Sequence, residues 1–153
     1  MRILFVCLGN ICRSPMAEFV FKDIVNKAGL ANNFTIDSAA TSSYNERYKE
    51  TIHIGTKRIL DKYNIPYTNR YSRALRKDDY EKYDLIITMD EANINDIYYI
   101  FNDDKDNKIS KLLEFANENR DISDPWYTGN FELTYSDIVK GCNALLEYIK
   151  KTY

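Results

Sequence analysis

The sequence predicts one α/β domain over residues 1–153, a doubly wound, four-stranded parallel sheet with helices on both faces. Three observations carry that expectation. Short, continuously apolar and β-prone runs, Arg2 to Val6 and Leu85 to Thr88, have the character of strands covered on both sides. Segments of helical periodicity separate them. With 153 residues, 44% of them apolar and 29% charged, the chain can fill a single core and is too apolar to stay disordered.

The elements follow in order. After the first strand, Ser14 stands where a helix N-cap belongs and Pro15 at the first helical position. Ala17, Val20, Phe21, Ile24, Val25 and Ala28 then recur at helical spacing, and Gly29 supplies the stop. Glu18–Lys22 and Asp23–Lys27 are i,i+4 pairs expected on the solvent side. Phe19 falls opposite the apolar stripe and reads as a partly covered surface aromatic. Phe34 to Ser38 is the second strand, and residues 41–51 form a polar loop. Ile52 to Tyr63 reads as a helix with Ile52, Ile59, Leu60 and Tyr63 inward, broken by Asn64 to Pro66.

Residues 67–83 are basic and irregular, with a helical turn near Lys77 to Lys82. Leu85 to Thr88 is the third strand; Met89-Asp90-Glu91 leads into a helix reaching about Tyr99. A charged turn, Asn102 to Asn107, precedes the fourth strand, Ile109 to Leu113. Residues 117–130 are a long polar loop, and long loops are often functional. Tyr135, Ile138, Val139, Cys142, Leu145, Leu146 and Ile149 mark an amphipathic C-terminal helix. Right-handed crossovers between such units give a flavodoxin-like strand order and gather the strand-to-helix loops at one edge.

Composition narrows the function. A net charge of −2 lacks the basic face of a nucleic-acid binder. Cys7, Cys12 and Cys142 are too few, and odd in number, for a disulfide framework, and read as reduced thiols of a cytoplasmic protein. The apolar run Ile3 to Val6 is too short for a signal peptide or a membrane span, although export by an unsignalled route stays open. One histidine and scattered acids make no metal cluster, and no cofactor is expected.

The chemistry concentrates in Val6-Cys7-Leu8-Gly9-Asn10-Ile11-Cys12-Arg13-Ser14-Pro15. A strand, a tight polar loop and a helix start make an anion site, because successive N–H groups and the helix end point positive charge into the loop. Cys7 in such a cradle, beside the Arg13 guanidinium, is expected to favour the thiolate, which is the nucleophilic form. Arg13 offers a planar fork to an oxyanion, and a cation at a helix N-terminus makes sense with an anion between them. Gly9 allows close backbone approach, and Asn10 tolerates left-handed φ while its amide can tie the loop to Ser14 and Ser38. Ser14 can donate to the Cys7 sulfur or cap the helix, and the sequence leaves both open.

The run Val6 to Glu18 resembles the signature of the low-molecular-weight protein tyrosine phosphatases. Asp37-Ser38-Ala39-Ala40-Thr41 and Asp124-Pro125-Trp126-Tyr127 match further segments of that family in the same order, with Met89-Asp90 between. The resemblance implies hydrolysis of phosphotyrosine, in proteins and small aryl phosphates, through a phosphocysteine on Cys7. Arg13 and the amides of Leu8 to Ser14 would bind phosphate, and Asp124 would act as general acid and base, with Asp121 a weaker alternative. Arg13 and the amides would supply the positive field that a metal otherwise gives.

Tyr44, Trp126 and Tyr127 match the aromatic walls of the family's pocket, which suits a phenyl ring. Ile11 is the residue of the tyrosine phosphatases, where relatives acting on phosphoarginine carry threonine. Cys12 is implied to be a resolving thiol that traps oxidised Cys7 as a disulfide. Implied partners are phosphotyrosine-containing proteins and a tyrosine kinase, with the chain a monomer or weak homodimer. Two departures stand out: Ala40 replaces a glycine of the family's turn, and Arg70 replaces a histidine near the loop. Arsenate reduction would need further relay cysteines, and a phosphotyrosine-binding regulator without turnover would have no need of Cys7, Arg13 and Asp124 together.

Overall fold

The computed structural model describes residues 1–153 and places the first apolar run at the centre of the sheet. Strand β1 (Arg2–Cys7) pairs on one side with β2 (Thr35–Ala40) and on the other with β3 (Leu85–Thr88), and β3 pairs with β4 (Ile109–Lys111). All pairings are parallel, in the doubly wound order β2-β1-β3-β4. The helices are α1 (Arg13–Lys27), α2 (Tyr44–Arg47), α3 (Ile54–Lys62), α4 (Asp79–Lys82), α5 (Glu91–Phe101), α6 (Pro125–Thr128) and α7 (Phe131–Thr152).

Alternation along β1 explains why its sequence is apolar throughout. Ile3, Phe5 and Cys7 face the larger core, with Met16, Val20 and Phe21 of α1 and Ile138, Cys142 and Leu145 of α7. Leu4 and Val6 face a smaller core with Tyr80 of α4, Ile86 of β3 and Ile97 of α5. A strand with both faces covered has no solvent side on which to place polar residues. The loops following β1, β2 and β3 consequently emerge at one edge.

Several expectations need correction. Helix α1 begins at Arg13, and Ser14 does not cap it: position Cys12 precedes the helix without a side-chain cap. Phe19 is buried, its ring edge-on to Tyr67 at 6.1 Å, and Glu18 is buried beside it rather than on the solvent side. The chain between Ile65 and Ser72 returns over that face, so two neighbours on α1 that look solvent-facing are covered from outside the helix. Tyr63 is exposed at the end of α3 and stacks on Tyr135 at 4.1 Å. Helix α3 starts at Ile54, with His53 as its cap.

The loop at 41–51 contains the turn α2, and β2 runs on to Ala40. Ala40 is buried in extended backbone, its N–H donating to the Arg73 carbonyl and its carbonyl accepting from the Leu75 N–H, a conformation that alanine adopts without strain. The fourth strand ends at Lys111; Leu112–Ala116 is a 3-10 turn. Leu112 there packs against Gly141 of α7, where a Cβ would come within 2.5 Å of its Cγ.

Candidate active site

The loop from Leu8 to Cys12 joins β1 to α1, and its backbone polarity is sorted by direction. Its carbonyls, that of Asn10 aside, are occupied by the protein. Thr41 and Ser42 N–H donate to the Cys7 and Leu8 carbonyls, Asn45 Nδ2 and Ser72 Oγ to Gly9, His53 N–H to Ile11, and Thr56 Oγ1 to Cys12. The N–H groups of Leu8, Gly9, Ile11, Cys12 and Arg13 have no protein acceptor. Backbone donors of a buried loop are normally paired, so a row left over at a helix N-terminus is suited to an anion. Gly9 serves close approach: a Cβ there would lie 2.5 Å from Asn45 Nδ2. Asn10 takes the left-handed conformation, φ 55°.

Two backbone donors and a hydroxyl converge on the Cys7 sulfur at the floor of this loop. Ser14 Oγ lies 3.0 Å away, Asn10 N–H 3.3 Å and Ser14 N–H 3.4 Å. Hydrogen bonds to sulfur of this kind stabilise negative charge on it. They also settle the double role left open for Ser14, whose hydroxyl is committed to sulfur and to Asn10 rather than to a cap. The Asn10 amide donates to Ser14 Oγ at 2.8 Å and Ser38 Oγ at 2.9 Å, and accepts from Arg73 N–H at 3.1 Å. Ser38 in turn donates to buried Glu18, which pairs with Arg70 and Lys22. Asn10, Ser14 and Ser38 thus lie beneath the loop and brace it, and none of the three lines the cavity over Cys7.

Arg13 is buried, and its fork is divided. Nη1 donates to Asp90 Oδ2 at 2.7 Å and to the Ile122 carbonyl at 2.8 Å, and Nη2 approaches Asp124 Oδ2 at 3.4 Å. Burial alone pulls the guanidinium pKa down, but the negative charges of Cys7, Asp90 and Asp124 outweigh it and raise it overall. Asp90 uses its other oxygen to cap α5 through Asn93 N–H at 2.8 Å. Asp124 caps α6, accepting Trp126 N–H at 3.0 Å.

A cavity of about 800 Å³ opens over Cys7. Leu8, Gly9, Ile11, Cys12, Arg13 and Asp124 line it, and Tyr44, Trp126 and Tyr127 stand exposed at its walls. Residues from both ends of the chain therefore meet in one slot. No three His, Cys, Asp or Glu side chains group closely enough to hold a metal ion.

Residues 2–153 match the family described as low molecular weight phosphotyrosine protein phosphatase. The chain belongs to that family. A low molecular weight protein-tyrosine-phosphatase PtpA of Staphylococcus epidermidis is 41% identical over 97% of this chain and 94% of its own. Among solved structures, YfkJ of Bacillus subtilis is 37% identical, with a TM-score of 0.91 over 99% of this chain and 95% of that one. SP-PTP, a low molecular weight protein tyrosine phosphatase of Streptococcus pyogenes, is 38% identical, with a TM-score of 0.84 over 99% of both chains. The chain is a cysteine-dependent protein tyrosine phosphatase.

Sequence reasoning missed several residues of this phosphatase's site. Asp90 orients Arg13; an Asp at a strand-to-helix junction with Asn three residues on is a readable capping signal, but its second oxygen was not. Asn45 and Ser72 hold the Gly9 carbonyl, and nothing local to either announces it. Asp121 lies outside the cavity lining, accepting from Glu91 N–H and pairing with Lys111.

Cys12, at the end of the loop, is a buried thiol. Burial, then the charges of Cys7 and Asp124, push its thiol up to about 12 from a usual 9.0, against the pull of Arg13. A thiol pKa raised on folding adds stability that is complete below the unfolded value and fades as the pH climbs toward the folded one. The phosphatase should therefore lose stability between about pH 9 and pH 12. Urea unfolding midpoints of wild type and Cys12→Ser, taken at pH 8 and at about pH 10, test this. The wild-type midpoint should fall further; equal falls would count against it. Cys142 is also raised by burial but contributes alike to both proteins.

Proposed function

We propose that Cys7 is the nucleophile of a two-step hydrolysis of phosphotyrosine in proteins, with Asp124 as its acid and base. The observation that carries this is the polarity of the loop: two N–H donors and the Ser14 hydroxyl converge on the Cys7 sulfur, and five further N–H groups of the loop and of Arg13 have no protein acceptor. The sulfur lone pair attacks phosphorus and the bond to the aryl oxygen breaks. Asp124 gives its proton to that oxygen, so tyrosine leaves neutral. Water then attacks the phosphocysteine, Asp124 takes its proton, and the P–S bond breaks to release phosphate and return the thiolate. Arg13 and the loop N–H groups hold the equatorial oxygens through both displacements, where charge is spread over them.

The burial of Cys7 at the floor of the cavity and the aromatic walls favour an aryl ester, whose flat ring holds phosphorus farther from the main chain than a serine side chain does. Ile11 on the cavity wall adds an apolar contact for the ring. The substrates are phosphotyrosyl proteins produced by a tyrosine kinase, and three free, buried thiols suit a reducing cytoplasm. No helix is long and apolar enough to cross a membrane.

Asp124→Asn tests the acid, because asparagine can still accept from Trp126 N–H and leave α6 capped. kcat/KM for phosphotyrosine should drop by about 10²- to 10³-fold. The drop for p-nitrophenyl phosphate should be much smaller, because its leaving group is stable as an anion. Equal losses on both esters would remove Asp124 from this role.

A further inference from the structure

The single histidine of the chain sits where three parts of the site meet. Its backbone N–H donates to the Ile11 carbonyl at 2.8 Å, which ties it to the phosphate loop. Its Nδ1 accepts Gly55 N–H at 2.9 Å, capping α3 and leaving the proton of the neutral ring on Nε2. The ring then lies on Phe131, the first residue of α7, with centroids 5.2 Å apart and planes at 20°. Its edge contact to Trp126 spans 5.7 Å at 82°.

Trp126 is the residue whose N–H holds Asp124 Oδ1. Gly55 belongs to the same unit: a Cβ at that position would fall 2.4 Å from Phe131 Cζ, so only glycine lets Phe131 come this close. At the wall of the cavity Trp126, a residue that is 61% exposed, thus has beside it the His53 ring, which also lines the cavity and is itself fixed at both nitrogen and backbone.

We infer that His53 is a positioning residue for the acid loop: clamped between Phe131 and Trp126, its ring sets where Asp124 stands relative to the phosphate loop. This rests on the reading of Asp124 as the general acid. The requirement is physical. Trp126 is largely exposed and lies in a helix of a single turn, which has little packing of its own to hold it. A proton donor must meet the leaving oxygen within hydrogen-bond reach, and small misplacements are costly. A ring anchored through its own backbone to the phosphate loop gives the two halves of the site a common reference.

Two substitutions separate the ring from the cap. His53→Asp keeps an acceptor for Gly55 N–H and deletes the ring; His53→Phe keeps the ring and deletes the acceptor. The readout is the ratio of kcat/KM for phosphotyrosine to that for p-nitrophenyl phosphate, which a loss of general folding stability does not move. In His53→Asp the phosphotyrosine value should fall about tenfold and the nitrophenyl value by less than about threefold. His53→Phe should hold the ratio within about twofold of wild type while its unfolding midpoint drops.

Gly55→Ala, which leaves His53 in place but displaces Phe131, should lower the ratio in the same direction as His53→Asp. In an Asp124→Asn background, His53→Asp should leave the ratio unchanged, as coupled residues do. A wild-type ratio in His53→Asp, or a further fall of the ratio in the Asp124→Asn background, overturns the inference while the acid assignment stands. A wild-type ratio in Asp124→Asn alone overturns both.

Discussion

Cys7→Ser is expected to abolish turnover, with kcat for p-nitrophenyl phosphate lowered by at least about 10⁴-fold. The donors around the sulfur explain why a single-atom change has so large an effect. Ser14 Oγ, Asn10 N–H and Ser14 N–H can steady a negatively charged sulfur, but a hydroxyl is far less acidic than a thiol and stays neutral among the same donors. No general base stands at the sulfur to take a hydroxyl proton, since its immediate partners are all donors or shared hydroxyls. The serine protein should still fold, because the change is nearly isosteric and the donors keep an oxygen to bond. It should also still bind phosphate, because the loop N–H groups and Arg13 are untouched. Phosphate titration by NMR alongside the rate assay separates the two effects. Retained activity of more than about 1% would remove Cys7 as the nucleophile.

Arg13→Lys is expected to cost about 10³-fold in kcat/KM even though the charge is kept. The reason lies in how the fork is shared. Nη1 is used by Asp90 and the Ile122 carbonyl, which fixes the plane of the guanidinium, and Nη2 faces Asp124 and the cavity. An ammonium is a single point with no second arm, so it can satisfy Asp90 or reach the phosphate but not do both in one plane. Whichever it abandons is left short of a partner, and Asp90 with the Ile122 carbonyl would cost about 1–3 kcal/mol of stability if left unpaired. Steady-state kinetics and urea unfolding of the same protein measure both consequences. A lysine variant within about tenfold of wild type would mean that charge alone, not the fork, holds the oxyanion.

Both predictions concern residues that are readable without coordinates. Cys7 and Arg13 belong to one continuous stretch between an apolar strand and a periodic helix, and the local chain alone makes that stretch an anion loop. The sheet itself is legible for a similar reason: burial on both faces writes itself into β1 and β3 as unbroken apolar runs. Asp124, Trp126, Tyr127 and Tyr44 are legible only through resemblance, since an Asp-Pro turn and scattered aromatics have no local signature of catalysis. Boundaries suffered where a side chain had two possible employers. Ser14 looks like a helix cap until the sulfur and Asn10 claim its hydroxyl. Ile109 to Leu113 looks like one strand until Leu112 and Leu113 turn inward against α7.

What the chain's order of residues determines on its own is what neighbours in sequence decide among themselves: the strand character of Arg2 to Val6, the periodic faces of the helices, and the phosphate-loop pattern from Cys7 to Pro15. Tertiary structure alone decided that Phe19 and Glu18 are covered, that Asp90 holds Arg13, and that His53 stands between Phe131 and Trp126. Each of those depends on a partner tens of residues away, delivered by the parallel crossovers. Periodicity records which face of an element is apolar, but not which distant segment will come to lie upon it.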